Sequence, residues 1–446
     1  MKKVLIYGGV IAVLLVIIIL LVFSCKGSKN EGTGGPVTLK YWRSYQNEAV
    51  FKPLFDSFYE NNSNIKVEYS QKDLSEYYGE LLDALAAGTG PDIFSIRNDW
   101  LPAFKDKIEL IPEDVYSKDK FKGTFVDAAT NDLIIDNGIY GFPLSVDAVS
   151  LIYNDNLLDA AKCARPPKNW NEFIDCNKKI THLKGSYVNL AGTALGTVNN
   201  LDTTELGSKK LATDILSAMM IQSGTEMVSA DLSSASFGLP IQKASGGNVY
   251  PGTTALDFYT SFARPTKETY SWNSRMDNAV KAFAEKKVAM IFGYSDMVGV
   301  IDASAPNIGL NVAPMPQIKG SDNPKTTASY WIEVVSKQSK YKTEGWKLLD
   351  FLTSVKSLSQ FRAATNLPSS RKDMIEAAEA STKYGAFTGQ LTYAVTWYKG
   401  KQPSKVYEAF VNMINGVLHG QKPQNAIDSA RNAVTALFLA QKQEGQ

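Results

Sequence analysis

The chain has 446 residues, 44% of them hydrophobic and 21% charged, with a formal net charge of +2 and a sequence pI near 8.1. That length exceeds what one hydrophobic core normally supports, so two lobes are expected. So small a net charge, without a long basic run, argues against nucleic acid as a partner.

At the amino terminus, Lys2 and Lys3 precede an apolar run from Val4 to Phe23 that ends at Ser24-Cys25. Basic residues, an apolar segment and a small residue at the break are the parts of an export signal. The run is longer than the roughly 7–15 residues of a usual signal core and long enough to span a bilayer. Residues 1–25 are therefore either a cleaved signal or a retained anchor, and both place the globular part outside the cytoplasm. Val22-Phe23-Ser24-Cys25 resembles a bacterial lipoprotein box, in which Cys25 would carry the lipid, although Phe23 is bulkier than the residue usual there. Residues 26–36, KGSKNEGTGGP, are too polar and Gly-rich to pack and read as a flexible tether.

Beyond the tether, Val37, Leu39 and Tyr41 alternate with polar neighbours, the pattern of a strand, and Trp42 to Tyr45 follow at its end. Val50, Leu54, Phe55 and Phe58 share a helical face, and Ile65, Val67 and Tyr69 alternate again. A second amphipathic helix through Tyr77, Leu81, Leu82 and Leu85 breaks at Gly88-Thr89-Gly90-Pro91-Asp92. That turn lacks the G-K-[ST] ending of a phosphate loop, and Pro91 removes an amide donor. The short strand Ile93–Ile96 leads into Arg97, Asn98, Asp99 and Trp100, where α/β sheets place ligand groups.

Asp147 interrupts a β-prone run through Val149, Leu151, Ile152 and Tyr153, and a lone carboxylate there needs a partner or a function. Cys163 and Cys176 are the only cysteines after Cys25, and in an oxidising compartment they read either as a disulfide or as two buried thiols. Asn169 is placed to cap a helix starting at Trp170. Residues 185–250 are rich in Gly, Ser, Thr and Ala and say little about function. A buried strand, Val288–Phe292, ends in Gly293-Tyr294-Ser295-Asp296, and strand character returns at Ser329–Val335 around Trp331. Trp397 falls in a late aromatic cluster before two packed helices.

Enzyme signals are scarce. With only His182 and His419, a zinc site or a Ser–His–Asp triad has little material, and no metal or cofactor is expected. Asp99, Asp147, Asp296 and Glu333 remain candidates for a carboxylate pair acting on a glycosidic bond. What recurs instead is an aromatic beside hydrogen-bonding side chains at Trp42, Trp100, Tyr294, Trp331 and Trp397. Aromatic faces bury the C–H face of a sugar ring while polar groups satisfy its hydroxyls.

Several segments in order complete the picture: Gly88-Thr89-Gly90-Pro91-Asp92, then Gly138-Ile139-Tyr140-Gly141-Phe142-Pro143 followed by Tyr153-Asn154, then Pro166–Trp170, Pro314 with Pro316, and Leu367-Pro368-Ser369. This ordered set resembles the bacterial extracellular solute-binding proteins of the maltose-binding type, the receptors of ABC importers. The resemblance implies a two-lobed α/β fold of the periplasmic-binding-protein type II class, with hinge crossings and a ligand cleft between the lobes. Lobe 1 would comprise residues 37–146 and 325–356, and lobe 2 residues 147–324 and 357–446. It further implies a monomer that binds an oligosaccharide and delivers it to the transmembrane subunits of an ABC permease, tied to the membrane by a lipid or an N-terminal helix. Ligand contacts would come from Trp42, Arg97, Asn98, Asp99, Trp100, Asp147, Tyr294, Ser295, Trp331 and Trp397. A surface sensor or adhesin on the same scaffold is the alternative, and a polysaccharide-acting enzyme is a further one.

Overall fold

The computed structural model describes residues 35–163, 166–243, 245–375 and 383–444. Two α/β lobes each surround one hydrophobic core and one main sheet. The apolar amino-terminal segment with Cys25, and the expected tether up to residue 34, lie outside the described residues. Among the described residues no helix is long and apolar enough to cross a membrane.

In the first lobe the alternating residues Val37, Leu39 and Tyr41 are buried on strand β1 (Val37–Arg43), while Thr38 and Lys40 are exposed. Helix α1 (Glu48–Tyr59) buries Phe51, Leu54, Phe55 and Phe58, one stripe at helical spacing. Strand β2 (Ile65–Gln71) follows, then helix α2 (Leu74–Ala86), whose first turn is capped by the Asp73 side chain. Strand β3 (Ile93–Arg97) completes the opening βαβαβ unit, with β1 parallel to both neighbours. Strand β4 (Phe142–Ala148) ends this portion of the lobe.

The second lobe begins at strand β5 (Ser150–Asn154). Helix α3 (Trp170–Ile180) starts at Asn169, whose side chain accepts from the Glu172 amide as expected of a cap. Strands β6 (His182–Lys184) and β7 (Tyr187–Thr193) precede helices α4 (Glu205–Gln222) and α5 (Pro251–Ser261). Strand β8 (Val288–Gly293), helix α6 (Ser295–Ser304) and strand β9 (Leu310–Pro314) follow, giving the sheet order β9-β5-β8-β7-β6.

Strand β10 (Thr326–Val335) then returns to the first sheet and inserts antiparallel between β3 and β4. Gly141, just before β4, lets this insertion happen: a Cβ there would lie 2.6 Å from the Glu333 carbonyl oxygen on β10. Helices α7 (Lys342–Leu352) and α8 (Val355–Thr365) follow, then a short strand β11 (Ala394–Val395) beside the start of β10. Helices α9 (Pro403–Leu418) and α10 (Pro423–Glu444) close the chain on the second lobe.

The crossings differ in detail from the expected boundaries. Ala148 still pairs with Ala328 in the first sheet and Ser150 already pairs in the second, so the first passage is at Val149. Its amide donates to the Thr327 carbonyl at 3.1 Å and its carbonyl accepts from the Thr326 hydroxyl at 3.0 Å, which ties the outgoing strand to the returning one. The expected handover at residue 357 is displaced. Leu358 and Phe361 on α8 belong to the first core, with the Phe361 ring 5.7 Å from Phe51, because the apolar face of α8 docks on α1. Tyr384 and Phe387 pack against the second core, Leu391 and Ala394 return to the first, where Ala394–Val395 pairs with β10, and Trp397 packs against the second again, so the last passage lies between Val395 and Trp397.

Cys163 and Cys176 are joined as a disulfide, with Cα atoms 5.3 Å apart, fastening the segment before α3 to its second turn. Native protein is expected to leave both cysteines unalkylated until a reductant is added, as read by mass; alkylation without reductant would show two free thiols.

Candidate functional site: a cleft between the lobes

A cavity of about 420 Å³ opens at the seam of the lobes. Arg43, Tyr45, Arg97 and Trp331 line it from the first lobe, Asp202, Lys210, Tyr294 and Asp296 from the second, and Asp147 from the hinge. A second cavity of about 550 Å³, lined by Asn62, Tyr116, Lys120 and Arg371, belongs to the first lobe alone. Movement of one lobe against the other can enclose a ligand only in the first of these.

The aromatic wall of the cleft comes from two strands of one sheet. After β1 the chain turns through Gln46, which has φ of 53°, and the Tyr69 hydroxyl donates to its carbonyl at 2.7 Å. This fixes Tyr45 against Trp331 of β10, with ring centroids 6.3 Å apart and planes inclined by 27°. The Tyr45 hydroxyl reaches across to donate to Asp296 at 2.5 Å, so the same residue links the two lobes.

Three ion pairs support the wall. Arg43 meets Glu333 at 3.1 Å, and Glu333 also accepts from the Tyr41 hydroxyl at 2.6 Å; all three are buried. Arg97 pairs with Asp99 at 2.5 Å, and the hydroxyl of Tyr407 on α9 donates to Asp99, a second link between lobes. Burial works to raise the Asp99 carboxyl, but Arg97 and Lys210 outweigh it and hold the group below its ordinary range. Lys210 pairs with Asp214 one turn along α4 at 2.5 Å, and Tyr294 donates to the same carboxylate at 2.6 Å.

Asp147 is both hinge and helix cap. It is 9% exposed and accepts from the Ala148 amide, and from the Ser295 amide and hydroxyl at 2.8 and 2.5 Å. Ser295 opens α6, so the carboxylate satisfies an amide that the helix leaves free. Burial nevertheless pushes the Asp147 carboxyl up to about 7; its Ser295 bonds oppose that and nearby Asp296 adds to it. A folded-state value above the unfolded one near 4 means that the native state holds its proton more tightly. This contribution is therefore present at low pH and lost as pH rises from about 4 to about 7. Asp147→Asn is expected to flatten that part of the melting temperature against pH, and to weaken ligand binding about fivefold, near 1 kcal/mol. Parallel profiles for the two proteins would exclude the assignment.

Of the residues singled out from sequence, Arg97, Asp147, Tyr294 and Trp331 line the cleft. Ser295 acts behind it through Asp147. Asn98 and Asp99 border a narrow adjoining crevice with Trp397, where the Asn98 side chain accepts from the Tyr330 amide at 3.3 Å. Trp397 packs among Phe237, Tyr398 and Phe410 and donates to the Ser217 hydroxyl at 3.1 Å, so its face is spent on the second core. Trp100 is likewise core, 6% exposed and packed on Tyr78, Phe104 and Trp331. Trp42 lies off the cavity, its ring covered by the Lys72 ammonium at 3.7 Å. Glu333 is fully buried in the ion pair, and Asp99 is bound in another, which removes both as free catalytic carboxylates.

Sequence reasoning missed Tyr45, Asp202 and Lys210. Tyr45 stood two residues past a strand end, the same signal that marked Arg97 and Tyr294. Asp202 precedes Thr204, which caps α4, so an Asp beside a cap at a helix start was the clue within an otherwise featureless stretch.

A profile of bacterial extracellular solute-binding proteins matches residues 54–389. The chain belongs to that family. A binding protein of Brucella abortus is 27% identical over 310 residues, 68% of each chain. Among solved structures, an ABC transporter solute-binding protein from Thermotoga lettingae, bound to α-D-tagatose, superposes with a TM-score of 0.71 at 24% identity, covering 90% of this chain and 99% of its own. The sugar-binding protein of Xanthomonas citri superposes with a TM-score of 0.76 at 20% identity, covering 91% and 98%. The two-lobed architecture of this solute-binding protein is thus that of the periplasmic binding proteins, and family membership implies a location outside the cytoplasm.

Proposed function

We propose that this solute-binding protein captures a carbohydrate, an oligosaccharide in the leading case, between its lobes and delivers it to an ABC permease in the cell membrane. The observation that carries this reading is the cleft itself. Tyr45 and Trp331 offer a stacked aromatic face, while Arg97, Asp147, Asp202, Lys210 and Asp296 surround the same space with donors and acceptors from both lobes. A ring with one apolar face and a rim of hydroxyls meets both requirements. The tagatose bound to the Thermotoga protein and the description of the Xanthomonas one as sugar-binding support the same class. The links from Tyr45 to Asp296 and from Asp99 to Tyr407 hold the lobes together, so a ligand that adds to them favours closure.

The ion-paired Glu333 and Asp99, and relatives that are binding proteins, support a binding rather than a catalytic role. Tethering through a lipid on Cys25, or through the apolar segment if it is retained, would keep the monomer beside its permease. Calorimetry against maltose-, galactose- and tagatose-containing sugars tests the ligand class, with binding in the micromolar range or tighter expected. Failure across every sugar would reject it. Co-purification with the permease subunits in the presence of bound sugar tests delivery.

A further inference from the structure

The charges of the cleft are unevenly matched. Each basic side chain on its wall already has an anionic partner: Arg43 has Glu333, Arg97 has Asp99 and Lys210 has Asp214. Asp147, Asp202 and Asp296 line the same cavity and, among the described residues, take hydrogen bonds from neutral donors alone. These donors are the Ala148 and Ser295 groups for Asp147, Thr203 for Asp202, and the Met297 amide with Tyr45 for Asp296. Lys210 acts on Asp202 from longer range, but its own contacts are Asp214 at 2.5 Å and the Tyr294 hydroxyl at 3.3 Å.

The three carboxyl groups converge. Asp296 lies close enough to act on both Asp147 and Asp202, and with burial it pulls each of them upward. Neutral hydroxyls can satisfy the lone pairs of such a group but leave the mutual repulsion in place. A cation removes it, and the repulsion then becomes part of the selectivity. The wall beside these acids is the Tyr45–Trp331 pair, and aromatic faces attract ammonium groups as well as sugar rings.

We infer that the cleft selects a glycan carrying a protonated amine, of the glucosamine type, over a neutral or anionic glycan, an assignment that rests on the carbohydrate reading above. Asp202 and Asp296 set the preference from the second lobe and Asp147 contributes from the hinge. The amine would sit among these carboxylates while its ring lies against Tyr45 and Trp331.

The test is calorimetry of the mature protein with the β-1,4-glucosamine tetramer, its fully N-acetylated counterpart and maltotetraose, at low and at physiological salt. The glucosamine tetramer is expected to bind at least tenfold tighter than either neutral tetramer, and the preference should shrink as salt rises. The double variant Asp202→Asn, Asp296→Asn should bring the tetramers to equal affinity. Equal binding of acetylated and free-amine tetramers by the native protein overturns the inference and leaves the carbohydrate reading standing. If no sugar binds but spermidine does, the carbohydrate reading fails and the demand for a cation survives. If neither sugar nor spermidine binds, both fall.

Discussion

Glu333→Ala is expected to lower the stability of the protein by about 3–5 kcal/mol, the cost of leaving one partner of a buried ion pair behind. Glu333 is fully buried on β10 and is the anion that balances Arg43. Burial works against its charge, while Arg43 and the Tyr41 hydroxyl favour it. Without the carboxylate, the guanidinium is left with the Gln46 side chain at 2.8 Å and the face of the Phe51 ring at 4.7 Å, neither of them an anion, and the Tyr41 hydroxyl loses its acceptor. The side chains reach across β3 from β1 and β10, and both of these strands carry cleft residues, so loss of affinity should accompany the loss of stability. Denaturant unfolding checks this. A midpoint within error of the native protein would mean that water or a neighbour replaces the carboxylate at no cost.

Trp331→Ala should weaken ligand binding by about 2 kcal/mol, roughly 30-fold, as expected when a large aromatic anchor is removed from a desolvated site. The indole is half-buried, pinned edge-on to Trp100 and stacked with Tyr45, so its orientation is set before any ligand arrives. Little affinity is therefore spent on ordering it. Trp100→Leu provides the comparison, because Trp100 supports the anchor without lining the cavity. Calorimetry should show a smaller loss for Trp100→Leu than for Trp331→Ala; the reverse order would move the anchor to another residue.

The fold was readable because its signals are local. Val37, Leu39 and Tyr41 alternate, Phe51, Leu54, Phe55 and Phe58 recur at helical spacing, and Asn169 announces the start of α3, each independent of distant contacts. The site was only half readable. A polar or aromatic residue just past a strand end can turn toward the cleft, as Tyr45 and Tyr294 do, or back onto the lobe, as Trp100 does. That choice depends on which helix packs against the strand, information carried far away in the chain. Trp397 illustrates this: its neighbours Phe237 and Phe410 lie on segments that meet it only in the folded second lobe. The lobe boundary at α8 was missed for the same reason, since Leu358 and Phe361 could serve either core and only Phe51 decides.

The place of β10 in the first sheet governs when the protein can fold. With β3 and β4 held apart until this strand arrives between them, residues 37–148 are left with a gap at the sheet's centre until residues 326–335 have been made. The intervening stretch holds the whole second sheet, and closing so long a separation is slow compared with local contacts. A nascent chain of this order stays open for most of its synthesis. For a protein that works outside the cytoplasm, that delay is useful: a secretion channel that accepts only unfolded polypeptide would meet a substrate unable to finish its first lobe early.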